Sequence, residues 1–168
     1  DEAMIKIQNL GLTGHNLFTI EEGFEWVNPT QYVIKIGPYD SGKLITEQFN
    51  KKESYNLRVD TVVQFGADRK SAEREMQDVM NLNIRLKEAI KIKGPYNLMT
   101  INELQHRYPY LNWIDFFTKF FKPDCHMYND DPVFVTDPSY FYELGQILKT
   151  TDKRIIANWM FWNGAESI

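Results

Sequence analysis

The stretch DPVFVTDPSYFYELGQILKTTDKRIIANWMFWN, from Asp131 to Asn163, carries the clearest structural pattern of the chain. Within it, the short apolar run Val133 to Val135 is followed by the pair Asp137 and Pro138. That pair is typical of a helix start, because the aspartate caps exposed N–H groups and proline at the first helical position has no N–H to leave unpaired. The sequence therefore predicts a helix that begins at this pair.

Two helices follow one another in this stretch, separated by a break at Thr150 to Asp152. Apolar residues recur at spacings of three and four in both, as on the buried face of an amphipathic helix. They are Phe141, Leu144, Ile147 and Leu148 on the first helix, and Ile155, Ile156, Trp159, Met160 and Trp162 on the second. Both helices are therefore predicted to present aromatic-rich faces to a common core.

The bulk composition limits the class of protein. The chain has 168 residues, 43% of them hydrophobic and 14% aromatic, which is enough for a sizeable core as one domain or as one lobe of something larger. The formal net charge is −4, and the clusters KKE and KIK are too short for a nucleic-acid or anionic-membrane surface. No apolar segment approaches the roughly 20 residues that span a bilayer. We therefore expect no nucleic acid and no direct membrane contact.

The start of the chain and its single cysteine bear on the cellular compartment. The opening DEAMIKIQ lacks a signal-peptide pattern, so the chain is either cytosolic or has lost a targeting segment. Cys125 is the only cysteine, which excludes an internal disulfide. Residues Ala3 to Leu12 have the pattern of the end of a helix, with Met4 and Ile7 as its apolar positions. A start within an element favours a chain cut from a longer one.

Two β-prone runs follow, Asn16 to Ile20 and Gln31 to Gly37, separated by an acidic, turn-rich connection. In the second run Tyr32, Ile34 and Ile36 alternate onto one face. Because a two-stranded hairpin is marginally stable by itself, the pair is predicted to pack on helices.

A pair of helices is predicted in the middle of the chain. The first spans Leu44 to Phe65 and ends at Gly66, and Asp68 caps the second, which runs from Arg69 to about Lys91. The apolar stripe of the second helix is Ala72, Met76, Val79, Asn83, Leu86 and Ile90. A half-buried asparagine on such a stripe is usually a structural hydrogen-bonding residue, so we expect Asn83 to be structural rather than a ligand contact.

The next segment is rich in aromatic residues. After the break at Gly94 and Pro95, Thr100 to Glu103 is a capping box that opens a short helix ending before Pro109. Asn112 opens another helix, which continues until Pro123. Its nearly all-aromatic face is Trp113, Phe116, Phe117, Phe120 and Phe121. Aromatic stripes at helical spacing are far more often core than a ligand site, so these side chains are predicted to be core.

Several of these motifs, taken in order, resemble the N-terminal region of neprilysin-type (M13) zinc metallopeptidases. The resemblance covers roughly Leu17 to Trp162. It is carried by Asn28, Pro29, Gln31, Tyr32, Val33, Ile34 and Ile36, by Gly66, Ala67, Asp68, Ala72, Glu73, Met76 and Val79, by Met99, Thr100, Glu103, Leu104, Gln105, Asn112, Trp113 and Phe116, and by Val133, Val135, Asp137, Pro138, Tyr140, Leu144, Lys153, Arg154, Ala157, Asn158, Trp159 and Trp162.

The chain departs from the family pattern at three places. The family has a G-L-P-x-R-D-Y-Y turn where this chain has Gly37 to Lys43, commonly glutamate where it has Asn83, and usually arginine where it has Asn163. The resemblance implies a strand at Val133 to Val135 and a mainly α fold with a small β-hairpin, a multi-helix lobe like the family's N-terminal domain. The predicted organisation is a single lobe, 1–168, with a hairpin-containing start (1–43), a helix pair (44–93) and aromatic-rich helices (94–168).

The zinc chemistry of such enzymes is missing from this sequence. A zincin needs two histidines one helical turn apart, with a glutamate between them to polarise the metal-bound water, and the chain has no HExxH. Its three histidines, His15, His106 and His126, stand far apart. The only metal-like cluster is Cys125 and His126 beside Asp124, Asp130 and Asp131. Adjacent Cys and His chelate poorly and the carboxylates lack calcium-loop spacing, so no catalytic, cofactor or metal residue is assigned.

The resulting hypothesis is a non-catalytic N-terminal lobe, or a fragment of it, of a neprilysin-like zinc metalloendopeptidase. The resemblance implies that this lobe folds over a catalytic lobe of the same enzyme, which holds the zinc, and limits the size of peptide substrates. It also implies an extracellular or secreted enzyme, or the ectodomain of a membrane-anchored parent. Six aromatic residues exceed what a small bundle needs, so some are expected to pack on the missing lobe: Trp113, Phe117, Phe121, Trp159, Phe161 and Trp162.

Two alternatives remain open from the sequence. One is a stand-alone, catalytically inactive interaction module derived from the same family, which the ending NGAESI favours because it has the look of a genuine terminus. The other is an unrelated helical bundle that shares these patterns by chance. Whichever applies, the chain by itself is predicted to lack peptidase activity.

Overall fold

The protein is described here from a computed structural model that covers residues 4–6, 17–24, 32–39, 51–90, 96–121 and 126–165. Its strands are β1 (Phe18–Phe24), β2 (Tyr32–Pro38), β3 (Asn97–Thr100) and β4 (Pro132–Val135). Its longer helices are α1 (Lys51–Gln64), α2 (Arg69–Ala89), α3 (Ile101–Arg107), α4 (Trp113–Phe120), α5 (Pro138–Thr150) and α6 (Lys153–Ala165). The prediction of a mainly α fold with a small β component is confirmed.

The strands form one mixed sheet rather than a hairpin alone. Its order is β1-β2-β4-β3, with β1 antiparallel to β2, β2 parallel to β4, and β3 antiparallel to β4. The predicted hairpin is therefore only half of the sheet, and β3 was missed. Its four residues carry two apolar side chains, Leu98 and Met99, and directly follow the Gly94–Pro95 break, so the sequence shows no alternation to find. Pairing with Val133 and Phe134 of β4 makes this segment a strand.

Three helices begin at the capping residues that were predicted from the sequence. The side chain of Asp137 accepts a hydrogen bond from the backbone N–H of Tyr140 at 3.1 Å, and Pro138 is the first helical residue. Asp68 caps α2 in the same way, and Thr100 and Glu103 form the complete capping box of α3. These caps are confirmed because each depends on residues within one turn of chain.

The long helix α2 organises the helical layer, because it contacts α1, α5 and α6. Its buried stripe is Ala72, Met76, Val79, Leu82, Leu86 and Ala89. The predicted members Asn83 and Ile90 are half-buried, and the helix ends at Ala89, slightly before the predicted end. The predicted first helix began at Leu44, but residues 41–50 lie outside the described part of the chain, and α1 is described from Lys51.

An aromatic cluster joins the sheet to the helices. The ring of Phe18 on β1 lies 5.4 Å from that of Trp113 on α4 and 5.7 Å from that of Phe141 on α5, measured between centroids. Phe116 and Phe117 complete the cluster, and all five side chains are buried. The indole N–H of Trp113 donates to the carbonyl of Tyr108 at 2.8 Å, so its one polar atom is also satisfied.

The expected surplus of aromatic surface is mostly wrong. Four of the six side chains are buried among the described residues: Trp113, Phe117, Trp159 and Trp162. They pack between α2, α4, α6 and the sheet, so they do not need another segment to cover them. Phe121 is half-buried and Phe161 is 70% exposed. Of these six residues, only Phe121 and Phe161 still provide aromatic surface for another segment.

We predict that Trp113 is far more important for stability than the exposed Phe161. Trp113→Ala should lower the free energy of unfolding by about 3–5 kcal/mol, since it removes a fully buried ring and leaves the Tyr108 carbonyl unpaired. Urea unfolding followed by circular dichroism measures this loss. If Trp113→Ala does not fold, Trp113→Phe keeps a ring and tests the same position at smaller cost.

The matched control is Phe161→Ala, which should change the free energy of unfolding by less than about 0.5 kcal/mol, because most of its ring is already in solvent. Equal losses from the two substitutions would contradict the assignment of the cluster around Trp113 as the core.

Candidate functional site

The structure describes some of the histidines and metal-like residues that the sequence analysis considered. His106 is exposed on α3 and His126 is exposed before β4, while the carboxylate of Asp131 accepts a hydrogen bond from the backbone N–H of Tyr128 at 2.7 Å. His15 and the pair Asp124 and Cys125 lie outside the described residues. Within the described ranges, no three His, Cys, Asp or Glu side chains are grouped to hold a metal ion.

Asn83 is a structural hydrogen-bonding residue, as the sequence predicted. Its Oδ1 atom accepts from the hydroxyl of Tyr39 at 3.1 Å and from the indole N–H of Trp159 at 3.3 Å. Both donors belong to buried side chains, so one amide oxygen ties the end of β2 and α6 to α2. The periodicity predicted the position of Asn83, whereas its two partners, far away in sequence, gave no local signal.

A buried cation between α1 and α6 was missed. Arg58 is only 3% exposed, and its guanidinium carbon lies 5.1 Å from the centroid of the Trp162 ring. A guanidinium over an indole face is an attractive cation–π arrangement, which is stronger where water is excluded. Asn163, the residue that follows Trp162, is also buried. The family usually has arginine at this position. A single arginine within the amphipathic pattern of α1 gives no sequence signal for burial.

A broad groove of about 970 Å³ lies between the first described residues, the start of β1, the loop after α3, and helices α5 and α6. Its surface is mainly aromatic and aliphatic, from side chains that include Phe18, Tyr108, Phe141, Leu148, Ile156 and Met160. The residues that line the groove come from five separate parts of the chain. The sequence predicted core-facing positions for Phe141, Leu148, Ile156 and Met160, but it did not predict the groove.

The charged residues that line the groove in the described part of the chain are all cations. They are Lys6, Arg107, Lys149 and Lys153, and each is exposed. No carboxylate among the described residues lines the groove, and none forms a salt bridge with any of the four cations. The whole chain carries a net charge of −4, so this group of cations differs in sign from the charge of the chain as a whole.

Three tyrosines below the groove differ in how their hydroxyls are satisfied. The hydroxyl of Tyr108 donates to the carbonyl of Pro138 at 3.1 Å, and that of Tyr140 donates to the carbonyl of Leu17 at 2.5 Å. The hydroxyl of Tyr110 is buried without a hydrogen-bond partner among the described residues. Burial raises the pKa of all three hydroxyls, and the Arg107 guanidinium opposes that rise for the pKa of Tyr108.

Gly145 permits the close approach of Tyr110 to α5. A Cβ atom built at Gly145 would lie 2.8 Å from Cδ1 of the Tyr110 ring, which is closer than real contacts allow. The absence of a side chain at this position of α5 therefore fixes how deeply the Tyr110 ring sits in the wall of the groove.

No helix of the described residues is long and apolar enough to cross a membrane.

The arrangement of helices and sheet is similar to that of part of a solved zinc metalloprotease. The Mycobacterium tuberculosis zinc metalloprotease Zmp1 in its open state matches 95% of this chain with a TM-score of 0.70 at 15% identity. The same enzyme in complex with an inhibitor matches 96% of the chain with the same TM-score at 13% identity. Identities this low show a shared fold.

The family follows from the sequence comparison. The sequence model of the N-terminal region of Peptidase family M13 matches residues 1–168, and this chain therefore belongs to Peptidase family M13. Neprilysin-2 of Drosophila melanogaster is 29% identical over 96% of the chain, and human endothelin-converting enzyme 1 is 27% identical over 58% of it. The chain spans only 22% of the length of Neprilysin-2 and 27% of the Zmp1 chain.

We predict opposite stability effects from removing two buried hydroxyls. Tyr110→Phe should leave the free energy of unfolding unchanged or raise it by up to about 1 kcal/mol, because the lost hydroxyl has no partner. Tyr140→Phe should lower it by about 1–3 kcal/mol, because the Leu17 carbonyl is left buried and unpaired. Urea unfolding of both variants, with the exposed Tyr142→Phe as the neutral control, measures the difference. A larger loss from Tyr110→Phe would contradict the hydrogen-bond assignment.

The same tyrosines predict that the protein loses stability in alkali. An unfolded tyrosine ionises near pH 10, whereas burial raises the folded pKa of Tyr110 and Tyr140, so above that pH the unfolded state binds fewer protons than the folded state. The free energy of unfolding should therefore be flat up to about pH 9 and fall as the pH rises further. Unfolding curves from pH 8 to pH 11 should show a shallower fall in Tyr110→Phe than in Tyr142→Phe. Identical slopes would contradict this prediction.

Proposed function

We propose that this chain is a non-catalytic N-terminal lobe, or part of one, of a zinc metalloendopeptidase of the neprilysin type. In the whole enzyme it covers the catalytic lobe, encloses the substrate cavity and so limits the size of peptides that reach the zinc. The observation that carries the proposal is the match of the N-terminal family region to the entire chain, 1–168, while the chain spans about a fifth of Neprilysin-2.

The partner in this proposal is the catalytic lobe of the same enzyme. Zinc is held there, by residues outside this chain, and the described residues of the present chain supply walls rather than ligands. Peptides meet the lobe only through the cavity that the two lobes enclose. The rigid aromatic core around Trp113 supports such a role, because a wall that excludes larger substrates must keep its shape.

We further propose that the parent acts outside the cell, as a secreted enzyme or as the ectodomain of a membrane-anchored protein. Support comes from the relatives, which include a neprilysin and endothelin-converting enzymes. Surface biotinylation of cells that express the tagged parent gene tests the location. Labelling confined to permeabilised cells, with no tagged protein in the culture medium, would contradict it.

A complementation experiment tests the proposed role. The chain is expressed alone and together with the remaining polypeptide of its parent gene, and bound zinc is measured along with hydrolysis of a short fluorogenic peptide and of a folded protein substrate. The chain alone should hold no stoichiometric zinc and show no turnover. The combined polypeptides should cleave the peptide and spare the folded protein.

The two exposed histidines provide the control variants. His106→Ala and His126→Ala should remove any weak zinc from the isolated chain and leave the complemented activity unchanged, since neither histidine belongs to a metal-binding group formed by the described residues. Turnover by the isolated chain would overturn the proposal. A parent reading frame with no HExxH would overturn it as well and would favour the stand-alone interaction module.

A further inference from the structure

We propose that the groove between the loop after α3 and helices α5 and α6 is the docking site for an acidic amphipathic helix. The helix belongs to the parent polypeptide outside these 168 residues, so the source of the occupant rests on the proposed function above. The inference adds to that function a particular surface, the chemistry of its partner and the residues that recognise it.

The apolar surface of the groove requires a cover. The half-buried side chains of Leu148 and Ile156 expose apolar surface above the buried rings of Phe18 and Phe141, in one concavity of about 970 Å³. A contiguous apolar concavity of this kind marks an interaction site, because leaving it in water costs free energy in proportion to its area. The occupant therefore needs an apolar face.

The charges of the groove determine which side chains flank the apolar face of the occupant. Lys149 and Lys153 lie along the helical wall, Arg107 lies at the loop, and Lys6 lies at the first described segment. Bringing another cation among them would add repulsion, whereas carboxylates would gain four charge pairs that no described residue supplies. The occupant therefore carries Asp or Glu beside its apolar stripe.

The backbone of the groove wall indicates that the occupant is helical. An extended peptide needs main-chain partners, but the carbonyls of Leu17 and Tyr108 are already used by side-chain donors, and Pro109 has no N–H. The walls α5 and α6 satisfy their own backbone groups. These features favour a helical occupant, because the backbone of a helix is hydrogen-bonded internally and enters an apolar site without unpaired polar groups.

The probe for the test is a fluorescein-labelled helical peptide of about 18 residues, roughly 27 Å long, with a leucine stripe flanked by glutamates. One control peptide has lysine in place of every glutamate, and another keeps the acidic composition but has two central prolines. Fluorescence anisotropy with the 168-residue chain should show at least about 10-fold tighter binding of the acidic helix than of either control. Equal binding of the three peptides would overturn the inference.

Paired variants locate the binding. Lys149→Gln with Lys153→Gln should weaken binding of the acidic helix by about 3- to 10-fold, whereas Lys70→Gln with Arg74→Gln, which removes the same charge from exposed positions of α2, should leave it unchanged. Ile156→Asn should weaken it by a similar factor, and Phe161→Asn on the same helix should not. An effect that follows Phe161 or the α2 pair would place the site elsewhere and overturn the inference.

Two further outcomes separate this inference from its rivals and from the proposed function. Binding of the chain to phosphatidylserine vesicles that is abolished by the Lys149 and Lys153 substitutions, with no preference among the peptides, would overturn it in favour of a membrane surface. In the complementation experiment the same pair should weaken association of the two polypeptides. Full association of this variant would overturn the docking site and leave the proposed function standing, whereas peptide binding without any association would overturn the parent as the source of the helix.

Discussion

The contact between Phe18 and Trp113 is the constraint on which the rest of the structure depends. Phe18 is the first residue of an edge strand, and Trp113 begins a helix that lies far along the chain. Their rings pack 5.4 Å apart and share Phe116 and Phe141 as neighbours, so one cluster fixes the sheet against α4 and α5. A small sheet is stable only with a packed apolar face, and these buried rings pack the sheet on the helices.

The segment from β4 to α5 transmits this attachment to the groove. Val135 is in the centre of the sheet, and Asp137 begins α5 two residues later, so the helix cannot move independently of the strand. The hydroxyl of Tyr140, on the first turn of α5, then binds the carbonyl of Leu17 just before β1. The end of β4 and the start of β1 thus both position α5. This helix carries Lys149 and forms one wall of the groove.

The features predicted from the sequence are those whose physical causes are local. The caps at Asp68, Thr100 and Asp137 involve partners within three residues, and the stripe of α2 reflects one helix's own period. Strand β3 depends instead on β4, about thirty residues further on, and its sequence alone is neutral. The burial of Arg58 and of four of the six surplus aromatics likewise follows from which helices meet, and helix pairing leaves no signature in composition.

The groove depends on local and on long-range features of the sequence. Its positive charge determines how an acidic segment is recognised. At a distance, an approaching acidic segment meets the field of a chain with net charge −4, which gives it no general attraction. The screening length at physiological salt is about 8 Å, so the four cations act only on a segment already at the groove. Selection therefore occurs at contact, through the rate of dissociation rather than the rate of encounter. A tethered segment of the same polypeptide suits such a site, because its high effective concentration makes long-range steering unnecessary.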